Sequence, residues 1–193
     1  MSSRVFLGLV HSPVYNKNME VITTSVTNLD IHDIARCAIT YNLERYYIIH
    51  PLPNHHQLIQ DIINYWQVGF GAIYNPDRKM ALDLVELKES IDEVKKDISN
   101  RFKAPLYTIT TDARTYPNTI SYKELHSLLE DDAAAEANYL LLFGTGWGMT
   151  KETMLQADYV LEPIYGRGPY NHLSVRSAVS IILDRILGEK WWE

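Results

Sequence analysis

The stretch 138–188 constrains the fold of this chain more than any other. An apolar run, Tyr139-Leu-Leu-Leu-Phe143, passes directly into Gly144-Thr-Gly-Trp-Gly148. A short segment, Met149 to Ala157, separates it from a second run, Asp158-Tyr-Val-Leu161, closed by Glu162-Pro-Ile164. The turn-rich Tyr165-Gly-Arg-Gly-Pro-Tyr170 then leads through Asn171-His-Leu-Ser-Val175 into an apolar helix ending near Gly188. Two buried strands thus end in Gly- and Pro-rich loops, and a third loop opens a helix. Backbone amides and carbonyls left free at such strand ends suit a nucleotide-like ligand.

Upstream, strand and helix patterns alternate. Arg4 to Val10 reads as a buried strand, and His11 to Asn18 as a loop because Pro13 and two Asn residues favour turns. Val21 to Val26 is strand-like. Asp30 is expected to cap a helix from Ile31 to about Tyr41, ended by Asn42 in a left-handed conformation. Tyr46 to Ile49 reads as a strand, and Pro53 opens a helix through Trp66. The segment 69–77 is rich in turn residues; Met80 to Val85 is the next expected strand and Leu87 to Ile98 the next helix. Pro105 to Thr110 is a further strand. Ser121-Tyr-Lys-Glu124 has the form of a capping box before a helix to about Leu129, and Glu130-Asp-Asp132 reads as a solvated connector. The alternation predicts a single α/β domain over 1–193, with a mostly parallel sheet flanked by helices.

Composition removes several classes. With 46% hydrophobic residues the chain can bury a full core, and its one cysteine, Cys37, excludes an intrachain disulfide. No apolar run approaches the roughly 20 residues that span a bilayer, and the N-terminus lacks the pattern of a secretory signal, so a cytoplasmic protein with no membrane partner is expected. A net charge of −6 weighs against nucleic acid, although a local basic patch can coexist with an acidic total. No P-loop, His-Glu-x-x-His or Gly-x-Ser-x-Gly pattern is present, and the histidines form no ligand ladder, so no metal is expected. Strand 139–143, the glycine loop and Glu162 resemble a dinucleotide fingerprint, which would make the chain an oxidoreductase. The third glycine comes one residue too early for it. The helix after it is too short for the usual crossover, and Pro163 turns the chain where a ribose-binding strand should finish.

Taken in order, Leu142-Phe-Gly144, Leu161-Glu-Pro-Ile164 with Gly166, and His172-Leu-Ser-Val175 resemble the SPOUT superfamily of trefoil-knotted, S-adenosylmethionine-dependent RNA methyltransferases. The whole chain is similar to a small bacterial group within it, through Leu9-Val-His-Ser-Pro-Val-Tyr-Asn16, Thr27-Asn-Leu-Asp-Ile-His-Asp-Ile-Ala-Arg36 and Phe143-Gly-Thr-Gly-Trp-Gly148. The resemblance implies a C-terminal knot within about 105–188 and a cofactor cleft made by three loops. Gly144, Thr145 and Gly146 would come from the first loop, Leu161, Glu162, Ile164 and Gly166 from the second, and His172, Leu173 and Ser174 from the third. Thr110 and Thr111 would form the floor.

The same resemblance points to catalytic residues. SpoU-type members carry Asn-x-x-x-x-x-Arg on their first helix, where the arginine contacts RNA phosphate or helps activate the ribose hydroxyl. Asp30-Ile-His-Asp-Ile-Ala-Arg36 has that spacing with Asp in place of Asn. Arg36 is therefore the first catalytic candidate, with an ion pair to Asp33 as its plain alternative. Arg114 and Arg176 are further cations, and Asp112 or His11 a possible base. The first loop lacks the glutamate common in SpoU-type members, and His172 stands where Asn is frequent; ribose and base methylation both stay open. The implied substrate is tRNA or rRNA. A homodimer is expected from the width of the apolar face Leu173, Val175, Ala178, Val179, Ile181, Ile182 and Ile186, with Trp191 and Trp192 beyond it. The other class that fits is a non-catalytic module binding the cofactor or a partner protein.

Overall fold

The computed structural model describes residues 3–130 and 136–188. The strands are β1 (Arg4–Val10), β2 (Val14–Tyr15), β3 (Val21–Ile22), β4 (Arg45–Ile49), β5 (Val85–Lys88), β6 (Leu106–Thr111), β7 (Thr119–Ile120), β8 (Asn138–Gly144) and β9 (Tyr159–Leu161). The helices are α1 (Asn28–Thr40), α2 (Pro53–Gln67), α3 (Phe70–Tyr74), α4 (Pro76–Leu82), α5 (Ile91–Arg101), α6 (Tyr122–Glu130), α7 (Lys151–Leu155) and α8 (Val175–Leu187). Seven strands form one sheet in the order β5-β4-β1-β8-β6-β9-β7, and every pairing in it is parallel. β2 and β3 make a separate two-stranded ribbon.

Period-two patterning sorts the side chains to two cores. Leu7, Leu9, Tyr46, Ile48, Leu141 and Phe143 pack with α1, α2, α4, α6 and α8 on one face of the sheet. Phe6, Val10, Tyr47, Ile49, Leu140 and Leu142 pack with α5 and α7 on the other. Central strands buried on both sides explain the unbroken apolar run of β8.

Several local expectations change. Met80 to Val85 is not a strand: Asn75 caps α4 through Arg78 N at 3.0 Å, Pro76 occupies its first turn, and β5 begins only at Val85. The strand takes Leu87 from the expected helix, which starts at Ile91 under a Ser90 cap. The extended segment from Val21 is regular strand only to Ile22, and the turn-rich 69–77 contains the short α3. Asp30 does not cap α1. Thr27 does, its Oγ1 accepting from Asp30 N at 3.2 Å while its hydroxyl donates to Asp30 Oδ2 at 2.6 Å. The capping box at Ser121 forms reciprocally with Glu124, and Asn42 is left-handed at φ 55°. The expectations for Asp131, Asp132, Trp191 and Trp192 lie outside the described residues.

β9 sits between β6 and β7. Thr110 and Thr119 both lie level with Val160, and Thr111 and Ile120 with Leu161. Residues 112–118 therefore connect the two strands that flank β9, and Asn118 O accepts from Val160 N at 3.1 Å.

Candidate functional site

Because the sheet is parallel, the loops after β1, β6, β8 and β9 all leave from its carboxyl edge, the usual ligand side of an open α/β sheet. The glycine loop after β8 is held there by backbone bonds. Thr145 N donates to Val10 O at 3.1 Å, Trp147 N to Tyr15 O at 2.9 Å, and Tyr15 N to Gly148 O at 2.9 Å. The β2–β3 ribbon thus lies against this loop and fixes its path. Gly146 has φ +60°, and a Cβ on it would fall 2.7 Å from Tyr15 O, so neither the conformation nor the space admits a side chain.

Hydroxyls add a second tether. Thr145 Oγ1 donates to Val10 O at 3.0 Å, Thr24 Oγ1 lies 2.5 Å from Thr145 Oγ1, and His11 Nδ1 lies 3.1 Å from Thr24 Oγ1. With Thr145 donating to Val10, every proton is placed when Thr24 donates to Thr145 and His11 Nδ1–H donates to Thr24. His11 is fully buried, and that burial, reinforced by neighbouring His50, pushes its pKa down to about 4. The imidazole is therefore neutral, with its lone pair on a buried, unpartnered Nε2. His50, just after β4, accepts from Leu52 N at Nδ1, which leaves its proton on buried Nε2, facing the Thr24 backbone. The two rings stand 5.9 Å apart, and His55 stacks on His50. The sequence suggested His11 only as a base; its link through Thr24 to Thr145 needs a 13-residue return of the ribbon that no local pattern announces.

Asp112 and Arg114 follow β6 and face the same loop. Arg114 grips Asp112 with Nη2–Oδ2 at 2.8 Å and Nε–Oδ1 at 3.2 Å, and Tyr116 donates its hydroxyl to Oδ2 at 2.8 Å. The hydrogen bond to Asp112 raises the Arg114 pKa; burial, then Asp112, raises Tyr116 to about 12. A Cβ on Gly148 would meet Arg114 Nη2 at 3.6 Å and Asp112 Oδ2 at 3.7 Å, so the bare glycine leaves the loop open toward this pair. The third loop closes the group: the Trp147 and His172 rings are 6.0 Å apart, Tyr170 stands edge-on to His172, and Asn171 Nδ2 donates to Ala113 O at 3.2 Å.

Other expected residues have structural duties. Thr110 is buried and Thr111 Oγ1 donates to Leu142 O at 3.1 Å, tying β6 to β8 beneath the loops. Leu161 is core, Ile164 packs against the core, and Glu162 Oε1 accepts from Tyr122 N at 2.9 Å at the start of α6. Ser174 caps α8, while Gly166 and Leu173 are exposed. Arg176 takes the Asp33 ion pair foreseen for Arg36, at 3.4 Å, and also reaches Asp30 at 2.8 Å. Arg36 is exposed on α1 and, among the described residues, makes no ion pair; its field joins that of Arg78 on His32. A cavity of about 410 Å³ between α5 and α7, lined in part by Ser12, Pro51, Ser90 and Thr150, borders the loops after β1 and β8 but includes none of residues 144–148, 112–116 or 170–174. Among the described residues no three His, Cys, Asp or Glu side chains are grouped to hold a metal, and no helix is long and apolar enough to cross a membrane.

Comparison with known proteins agrees with this geometry. The profile of a family described as SAM-dependent RNA methyltransferase matches residues 4–188. An uncharacterised protein of Aquifex aeolicus is 44% identical over 187 residues, covering 96% of this chain and 89% of its own. A protein of Oleidesulfovibrio alaskensis named tRNA (guanine-N(1)-)-methyltransferase is 39% identical over 96% of this chain, but the match spans only 42% of that relative. The fold is similar to that of the SpoU methyltransferase AviRb of Streptomyces viridochromogenes, solved with its cofactor AdoMet, at TM-score 0.58 and 14% identity over 97% of this chain and 58% of that one. The chain belongs to the family of SAM-dependent RNA methyltransferases.

Proposed function

We propose that this chain binds S-adenosylmethionine between the loops after β6, β8 and β9 and methylates a ribose or base of a tRNA or rRNA. One observation carries the reading: three separate segments converge at the carboxyl edge of the sheet, with Gly148 open to Asp112–Arg114, Trp147 beside His172 and Asn171 bonded to Ala113. The group fits the cofactor's chemistry. Arg114 presents a cation to its carboxylate, the carboxylate of Asp112 suits its ammonium, and the exposed amides and rings of the third loop suit the adenosine. When bound, S-adenosylmethionine supplies an electrophilic methyl group.

The chain's own contribution is alignment and exclusion of water. Asp112 already accepts from Arg114 and Tyr116, so its role as base would require one of those bonds to be given up to the acceptor's proton. Arg114, half exposed, is placed to orient a phosphate or an oxyanion. Arg36 stands on α1 as a cation for the RNA. The whole of 1–193 acts as one domain in this reading.

The bridging of β9 by residues 112–118 supports a trefoil knot, with the segment after Leu161 threaded beneath that bridge. A homodimer is part of the proposal, supported by the partly covered α8 residues Val175, Ala178 and Ile181 together with exposed Leu173. So is a cytoplasmic location, which suits the single free Cys37. Calorimetry with S-adenosylmethionine and NAD tests the ligand: the first should bind and the second should not. Incubation with labelled S-adenosylmethionine and total RNA from a strain lacking the protein tests the activity. Cofactor binding with no label transferred would leave a non-catalytic module.

A further inference from the structure

The flank built by α1, α2 and α4 carries a cluster that the cofactor site does not use. Trp66 is its centre. The Arg78 guanidinium lies 4.6 Å above the ring centroid, His32 stands edge-on at 5.4 Å, and Tyr65 is perpendicular at 5.2 Å. Arg78 Nε and His32 Nδ1 are buried without hydrogen-bond partners, and among the described residues neither Arg78 nor Arg36 makes an ion pair. Both arginines bear on His32, whose pKa falls mainly through burial and then through Arg78. Beside them Asn28, Asp61, Ile62, Tyr65 and Trp66 line an open surface depression of about 480 Å³. The surface continues over α3, where Phe70 and Tyr74 stack at 6.2 Å with 68% and 75% of their area exposed.

The exposed rings of Tyr65, Phe70 and Tyr74 beside guanidinium groups without ion pairs among the described residues match single-stranded nucleic acid, in which bases stack and phosphates meet cations. Of the nearby carboxylates, Asp33 is taken by Arg176 at 3.4 Å, while Asp61 accepts from the Gln57 amide at 2.9 Å and keeps its charge, so the phosphates are assigned to the Arg36 and Arg78 side of the flank. A strand of RNA supplies stacking bases and phosphates at the spacing of one nucleotide, which suits exposed rings set beside cations. We propose that this flank is a single-stranded RNA platform, with Arg36 and Arg78 holding phosphates and exposed Tyr65 receiving a base, while Trp66 seats the Arg78 guanidinium from below. The proposal rests on the RNA-methyltransferase reading and adds to it where the strand lies. α1 joins the two sites, because Arg176, two residues after Ser174, grips Asp30 on the same helix.

The test is fluorescence anisotropy of a labelled, mixed-sequence single-stranded oligoribonucleotide over a salt series, with the full chain. Arg78→Ala should weaken binding about tenfold or more and lower the slope of log affinity against log salt by about 0.7. Tyr65→Ala, at a half-exposed position that folding tolerates, should weaken binding about tenfold with the slope unchanged. Calorimetric affinity for S-adenosylmethionine should be unchanged in both, which reports an intact fold. Variants that bind RNA like wild type would sink the platform while leaving the proposed activity standing. So would variants that lose only self-association in sedimentation, since the flank would then be a protein interface. Wild type that binds S-adenosylmethionine but no RNA would remove the functional reading itself.

Discussion

The first and third loops of the proposed cofactor site sit side by side and are built in opposite ways. The first, 144–148, is bonded at nearly every residue to β1 or to the β2–β3 ribbon, and a chain of hydroxyls anchors Thr145 to buried His11. The third, 165–173, is mostly exposed; its described ties are one bond from Asn171 and ring contacts at Tyr170 and His172. One loop is thus preorganised by the protein. The other leaves much of its ordering to whatever binds against it, which lowers net affinity but lets the site open for exchange.

Glycine substitutions should expose the difference most sharply. Gly146→Val places a β-branched residue at φ +60° and a Cβ 2.7 Å from Tyr15 O, at a cost of about 3 kcal/mol or more. Denaturant unfolding should show the loss, and affinity for S-adenosylmethionine should fall more than a hundredfold. Equal affinity would mean that the tied loop is not a binding element.

Acid should act next, through the anchor of the same loop. His11 stays neutral in the fold down to about 4 while the unfolded chain takes up its proton below about 6.5. The stability it contributes is full above pH 6.5 and is lost as pH falls toward 4, amounting to roughly 2 kcal/mol by pH 5. Thermal melts of wild type and His11→Gln across this range should converge as pH falls; parallel curves would contradict a buried neutral imidazole.

Thr24→Val should cost about 1.5 kcal/mol, because it leaves the His11 Nδ1–H buried without an acceptor. Thermal unfolding measures it, and calorimetry should show weaker cofactor binding through Thr145. At the far end, Gly166→Ala should change stability by less than about 0.5 kcal/mol, since nothing lies within 4 Å of the added carbon and its φ is not in the left-handed region. A large loss there would show that the third loop is as constrained as the first.

Legibility followed the same division. β8, α2 and the Ser121 cap could be read because period, Pro placement and capping chemistry agree within a few residues. Met80 to Val85 misled because a short apolar run has no period of its own; the Asn75-Pro76 signal before it decides for helix. Asp30 misled because Thr27 and Asp30 are both good caps, and they bond to each other. Glycines 144, 146 and 148 were legible as a loop, but what holds that loop lies more than 120 residues away, in Tyr15 and Thr24. The Arg78–Trp66 contact is of the same kind, formed by helices packing rather than by spacing.

The position of β9 has a consequence for how the protein comes to exist at all. β7 has no other neighbour in the sheet, and β6 keeps one open side until residues 159–161 arrive. A chain folding from its N-terminus during synthesis can therefore complete the β1–β4–β5 half while the edge that carries Asp112 and Arg114 stays unfinished. The proposed cofactor site is then incomplete until residues 159–161 have been made, so a product cut short before them would fold in part but should not engage the methyl donor.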